Sequence, residues 1–252
     1  MTGMLKYTKK NNVGLIMLNR PEKRNAFHPE LIKSLTEKLI EIESDNEVKA
    51  LVLSGEGKSF SAGADLEYLN KLNSFSTLKN QKDSENLGQM FLHLYNLSKP
   101  TIAAVNGAAI AGGSGLASCC DFVIADRQNA KFGYSEINIG FLPAIVSIFL
   151  VKKIGEGPAK QMLLSGEIIH AQRAYELGFV NSLSDNLLID AFSLAEKLSA
   201  NPSSSMSMTK RMIHEISNLG VENAVKYCIN LNTIARTSDD FKYGLEKFLN
   251  KN

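Results

Sequence analysis

Twenty consecutive residues, Thr101 to Cys120, carry no charge, and no other stretch constrains the chain as tightly. The run is long enough to cross a bilayer. Asn106 and four glycines interrupt it, so it reads as strand, turn and helix rather than as a membrane span. Thr101 to Val105 is the strand. Asn106-Gly107-Ala108-Ala109-Ile110-Ala111-Gly112-Gly113-Ser114-Gly115-Leu116 carries the turn into the helix. Such an arrangement exposes backbone N–H groups at a helix N-terminus, where they bind developing negative charge. Ser59-Phe60-Ser61-Ala62-Gly63-Ala64-Asp65-Leu66 has the same character and also follows a β-branched run. Two donors aimed at one point make an oxyanion hole, often a large term in acyl-group chemistry.

The third feature is Glu136, in Phe132-Gly133-Tyr134-Ser135-Glu136-Ile137. Apolar neighbours raise a carboxylate's pKa and equip it to move protons near neutral pH.

The same alternation of strand and helix runs through most of the chain. Val13 to Asn19, Val48 to Ser54, Thr101 to Val105 and Phe122 to Ala125 read as strands. Pro29 to Glu43 is an amphipathic helix with Leu31, Ile32, Leu35, Leu39 and Ile42 on one face. Leu69 to Leu97 reads as a polar loop followed by a helix, and Pro143 starts another helix. The pattern predicts an α/β fold with largely parallel pairing. After Val180 the strand signal fades, and Asn186–Leu198, Ser203–Ile216, Val221–Ile234 and Asp239–Leu249 read as helices. That tail is too small to bury its own apolar stripes, so it packs on the core or on another subunit.

Composition excludes several classes. The net charge of +2 is too small for an electrostatic nucleic-acid footprint. Cys119, Cys120 and Cys228 form neither a disulfide framework nor a zinc spacing, which fits reduced thiols in the cytoplasm. Met1 to Lys10 has three lysines and no apolar centre, so no signal peptide is expected.

Two further motifs fail on spacing. Gly55-Glu56-Gly57-Lys58-Ser59 resembles the end of a phosphate-binding loop, but Val52 stands where that loop needs a glycine. Ser114 lacks the second glycine of a nucleophile elbow, because Leu116 occupies that position.

Several motifs occur together and in order: Asn19-Arg20-Pro21-Glu22-Lys23-Arg24-Asn25-Ala26, Phe60 to Leu66, Asn106-Gly107 through Gly112-Gly113, Cys120-Asp121-Phe122, and Phe132-Gly133 through Glu136. This set resembles the crotonase superfamily, the enoyl-CoA hydratase/isomerase family, over nearly the whole chain. The resemblance implies a crotonase-type spiral of ββα units over residues 1–195. It implies a helical C-terminal trimerisation region over 196–252, and trimers commonly paired as hexamers. The ligand it implies is an acyl-CoA thioester, with CoA part of the substrate and no separate cofactor or metal. By the same resemblance, the N–H groups of Ala62 and Gly112 are the two oxyanion donors. Lys23, Ala26, Ala64, Asp65 and Leu66 match positions lining the CoA groove. Read from the residues alone, Asp65 is a helix N-cap.

Glu136 matches the second of the two glutamates that hold the water in ordinary hydratases. The first falls on Gly115, which has no proton to transfer and leaves room. Downstream the chain has Leu142-Pro143-Ala144-Ile145-Val146, where many hydratases are glycine-rich. These two departures resemble the bacterial methylglutaconyl-CoA hydratase branch. They also resemble dehydratases of polyketide assembly and single-glutamate Δ3,Δ2-enoyl-CoA isomerases. A catalytically silent acyl-CoA-binding or RNA-binding member is the remaining class, and retention of Glu136 weighs against it.

Overall fold

The structure is a computed structural model and describes residues 3–250. It opens with the hairpin β1 (Leu5–Lys10) and β2 (Val13–Leu18). Asn11 and Asn12 close the hairpin with positive φ, the two-residue turn that matches strand twist. Next come α1 (Pro29–Ser44), β3 (Ala50–Gly55), β4 (Ser59–Ser61), α2 (Leu66–Leu72) and α3 (Thr77–Tyr95). The central part is β5 (Thr101–Val105), β6 (Ala108–Ile110), α4 (Gly112–Cys119), β7 (Phe122–Asp126) and β8 (Lys131–Gly133). It continues through α5 (Ala144–Ile154), α6 (Glu156–Ser165), β9 (Ile169–His170), α7 (Ala171–Glu176) and β10 (Ser182–Ser184). The chain ends in α8 (Leu187–Ser199), α9 (Ser203–Ile216), α10 (Val221–Ala235) and α11 (Asp239–Leu249).

Two sheets organise these elements. The larger has strand order β1-β2-β3-β5-β7-β10, and the smaller β4-β6-β8-β9. All pairs are parallel except β1 with β2 and β8 with β9. The successive pairs β3/β4, β5/β6 and β7/β8 each give one strand to each sheet, so the chain winds as a spiral of ββα units. The expected α/β fold is therefore present.

The large sheet is covered on both faces, which is why its central strands are continuous apolar runs. Leu51 and Leu53 of β3 face the main core with Leu31, Leu35 and Leu39 of α1. Ala50 and Val52 face the other way, against Ala191 and Ala195 of α8. Truncating a fully buried leucine of the main core, such as Leu35, to alanine would cost about 2–5 kcal/mol.

Two sequence expectations change. The polar stretch from Leu69 is mostly helix: Asp65 caps α2 and Ser76 caps α3. The buried residues of α3 are Met90, Phe91 and Leu94, so its first turns have no apolar stripe to read. One more strand, β10, follows Val180 and pairs with β7. The expected division between residues 195 and 196 falls inside α8. Among the described residues, no helix is long and apolar enough to cross a membrane.

Candidate active site

The parallel pairing of β4 with β6 brings the two glycine segments side by side. Their contact leaves no room for side chains. A Cβ on Gly63 would lie 2.7 Å from the Ile110 carbonyl oxygen and 3.0 Å from the Gly112 nitrogen. One on Gly113 would lie 2.1 Å from the Ser61 oxygen. Gly63 also has φ +79°, where a side chain is strained.

Gly112 is the first residue of α4, and the N–H of Gly115 makes the first intrahelical bond, to the Ala111 carbonyl. The Gly112 N–H is thus one of the orphan donors of a helix N-terminus, and no acceptor among the described residues takes it. Ala111 precedes it at φ 53° and ψ −121°, a conformation that favours glycine.

The assignment of Ala62 as the other donor is corrected by the backbone. Its N–H already donates to the Arg24 carbonyl at 2.9 Å. Ala64 is the free one. It forms a parallel bridge with Phe27, in which the Phe27 N–H donates to the Gly63 carbonyl and the Asp65 N–H donates to the Phe27 carbonyl. In such a bridge the central residue's own N–H points to the opposite edge, and no described residue accepts it. The free donors flanking the Gly63–Gly112 contact are therefore those of Ala64 and Gly112.

Glu136 follows β8, which pairs with β6, the strand that leads into Gly112. The Gly133 carbonyl accepts the Ala111 N–H at 2.7 Å, and the Gly133 N–H donates to Ser114 Oγ at 3.1 Å. That hydroxyl is buried and itself donates to the Ala109 carbonyl at 2.6 Å. Ser114 is thus a strut between β6 and β8, and its hydroxyl is not free to attack a substrate. Tyr134, fully buried, anchors the following residues, and a short 3₁₀ turn, Ser135–Ile139, presents Glu136. Its Oε2 is buried without a hydrogen-bond partner. Burial raises its pKa, and its own backbone N–H offsets that in part. A half-buried carboxylate with one unengaged oxygen is placed to take or give a proton.

The room expected beside Gly115 is absent. A Cβ there would lie 2.2 Å from Val146 Cγ1 and 2.7 Å from Val146 Cβ. The first turn of α5 fills the space, so the two sequence departures, at Gly115 and at Val146, are one packing contact.

The expected groove residues lie together on the 20–28 loop and the start of α2. Ala26 is buried, Lys23 is exposed and pairs with Glu67 at 2.6 Å, and Leu66 is exposed. Asp65 is engaged as structure. It caps α2 through the N–H groups of Glu67 and Tyr68 and pairs with Arg20 at 2.7 Å. Burial alone would raise its pKa, but Arg20 and the capping N–H groups hold it below the ordinary value. It shapes the loop that carries Ala64 rather than offering a free carboxylate. The segment Gly55–Ser59 joins two strands, β3 and β4, without the helix that a phosphate-binding loop requires.

Comparison with known proteins gives the family. The sequence profile of the family described as Enoyl-CoA hydratase/isomerase matches residues 8–252. A provisionally named enoyl-CoA hydratase of Thermus thermophilus is 40% identical, with 96% of each chain covered. The 2,3-dehydroadipyl-CoA hydratase of Escherichia coli is 32% identical, covering 97% of this chain and 94% of its own. Among solved structures, an enoyl-CoA hydratase from Shewanella pealeana superposes with TM-score 0.94 at 29% identity, covering 98% of this chain and 94% of that one. The chain belongs to the enoyl-CoA hydratase/isomerase family of the crotonase superfamily.

Proposed function

We propose that the protein is an enoyl-CoA hydratase-type lyase, which adds or removes water at the C2=C3 bond of an acyl-CoA thioester. The observation that carries this reading is the unpartnered, buried Oε2 of Glu136, just past the strand that pairs with the segment leading to Gly112, together with the free N–H groups of Ala64 and Gly112. The thioester oxygen sits between the two donors. Glu136 takes a proton from water as the water oxygen bonds to C3. The C2=C3 electron pair moves toward C1, and negative charge collects on the thioester oxygen. The donors favour that enolate over the neutral thioester, which is where rate is gained. When the enolate collapses, C2 takes the proton from Glu136, which serves as base and then as acid.

The names of the relatives support hydration. Lys23, Ala26, Ala64 and Leu66 line the CoA groove in this reading, with Lys23 meeting a phosphate as a point charge. CoA is part of the substrate, and no separate cofactor is needed. Gly115 and the Leu142–Val146 segment favour a methylglutaconyl-CoA-like acyl group. The tail joins copies of the chain into a trimer or a pair of trimers. Three free thiols suit the cytoplasm.

The single carboxylate favours one alternative, Δ3,Δ2-enoyl-CoA isomerisation. That reaction needs only one base, to move a proton from C2 to C4. A panel of 2-enoyl-, 3-enoyl- and methylglutaconyl-CoA decides between them by ultraviolet absorbance. Hydration removes the conjugated enoyl band, and loss with a 2-enoyl substrate is the expected result. A gain with 3-enoyl-CoA alone would make it an isomerase. No change with any thioester would overturn both readings.

A further inference from the structure

Gly115 lies one turn beyond Gly112 on α4, on the same side of the helix as the donor. A Cβ at 115 would run into Val146 of α5. Val146 is the third residue of α5 and is buried. The clash involves its Cβ as well as Cγ1, so no rotamer change relieves it. Phe91 closes the other side at 3.5 Å. Its ring is held between Phe27 at 6.2 Å and Phe149 at 5.8 Å. Behind these rings the core is close-packed and does not yield cheaply.

We propose that Val146 is a specificity-determining residue: it occupies the volume a second carboxylate from position 115 would need, and so keeps the site to one proton-transfer group. Gly115 and Val146 then form a coupled pair on two helices, and a two-carboxylate site requires both to change. The inference rests on the hydratase reading for its chemistry, but its packing stands independently. With Val146 in place, position 115 holds no second acid. The catalytic water is held by Glu136 and the substrate alone.

Three variants of the full chain test this: Gly115→Glu, Val146→Gly and the two combined. The readouts are melting temperature and the pH dependence of kcat for a short straight-chain 2-enoyl-CoA. Gly115→Glu is expected to melt about 3–10 °C lower through overpacking. The combined variant is expected to recover at least half of that loss. Its pH–rate profile gains a second ionisation, because adjacent carboxylates resist double ionisation. Val146→Gly alone loses stability and keeps one ionisation. If Gly115→Glu does not fold, Gly115→Ala with and without Val146→Ala makes the same comparison of melting. A wild-type melting temperature for Gly115→Glu, or for Gly115→Ala where that pair is used, would overturn the proposal. So would strictly additive losses in the pair, or an unchanged pH profile in a folded Gly115→Glu/Val146→Gly protein. Absence of hydration of straight-chain 2-enoyl-CoA and of methylglutaconyl-CoA alike, in every variant and in the unaltered chain, would instead overturn the hydratase reading, while the melting comparison still decides the packing of Val146.

Discussion

Seven of the eight residues of α4 are buried, whereas α9, α10 and α11 bury none. Both regions are helical and both are rich in small or apolar side chains. In α4, glycines let backbone approach backbone, and every neighbour is already in contact. In the tail, Ile213, Val225, Ile229, Phe241, Phe248 and Leu249 remain about half exposed or more. Apolar area at that density is unusual on a monomer surface. The tail is fixed to the core mainly through α9. Lys210 pairs with Asp121 at 2.8 Å, and His214 stacks on Tyr95 at 3.9 Å between ring centres. The contrast is one of packing: the glycine-packed centre is closed on all sides, and the tail presents exposed apolar area.

Glycines sharpen that contrast most strongly. Gly113→Val drives a side chain into the Ser61 carbonyl, a backbone atom that cannot turn aside. The expected loss exceeds about 4 kcal/mol, and chemical denaturation measures it. A Gly113→Val protein with ordinary stability would show that the α4 backbone is not fixed as described.

Assembly is the next test. A trimer or hexamer is expected by light scattering at micromolar concentration. A clean monomer would mean that the exposed stripes of α10 and α11 have another use.

The anchor of the tail has an intermediate effect. Lys210→Met leaves Asp121 with its Thr101 N–H and hydroxyl contacts but removes the charged donor. About 1.5–3 kcal/mol of docking is expected to be lost. Hydrogen exchange should show it as faster exchange in α9 while β3 and β5 remain protected. Uniform loss across both regions would mean that tail and core unfold as one unit.

His214 adds a pH dependence. Burial lowers its pKa, with Lys210 and Lys152 adding to the effect and Asp121 and Glu215 opposing it. A base with a depressed folded pKa binds protons more readily when unfolded. Docking of α9 is therefore fully stable above the ordinary histidine value of about 6.5, and weakens as pH falls below it toward the lower folded pKa. His214→Phe is expected to flatten the pH dependence of α9 protection between pH 7.5 and 5.5. An unchanged slope would assign the effect elsewhere.

The smallest effect is at Gly244, inside α11, where a Cβ meets nothing within 4 Å. Gly244→Ala is expected to stabilise the tail helix by about 0.5–1 kcal/mol. Disruption of the assembled state by that single methyl would instead locate a subunit contact at this turn.

The same two regions show what the sequence could and could not reveal. The tail helices were legible almost to the residue, because an apolar stripe at helical spacing is a local signal. The smaller sheet was not, because β4, β6, β8 and β9 are two or three residues long, too short to show alternation. At the site, Glu136 and Gly112 announced themselves by motif. Which alanine beside Gly63 has a free N–H depends on pairing with Arg24 and Phe27, residues far away along the chain. Gly115 and Val146 were each visible as departures, but their contact is a property of two helices packing.

The central claim is that one carboxylate, Glu136, transfers the proton. Steady-state kinetics of Glu136→Gln on the thioester that the wild-type protein turns over test it most directly. The substitution keeps the shape and removes the base. A fall in kcat of about 10²–10⁴-fold with little change in substrate binding is expected. In the unaltered protein, kcat/KM should rise with pH through a single ionisation lying above the ordinary glutamate range, as burial of Glu136 requires. Near-normal turnover by a folded Glu136→Gln protein would contradict the account.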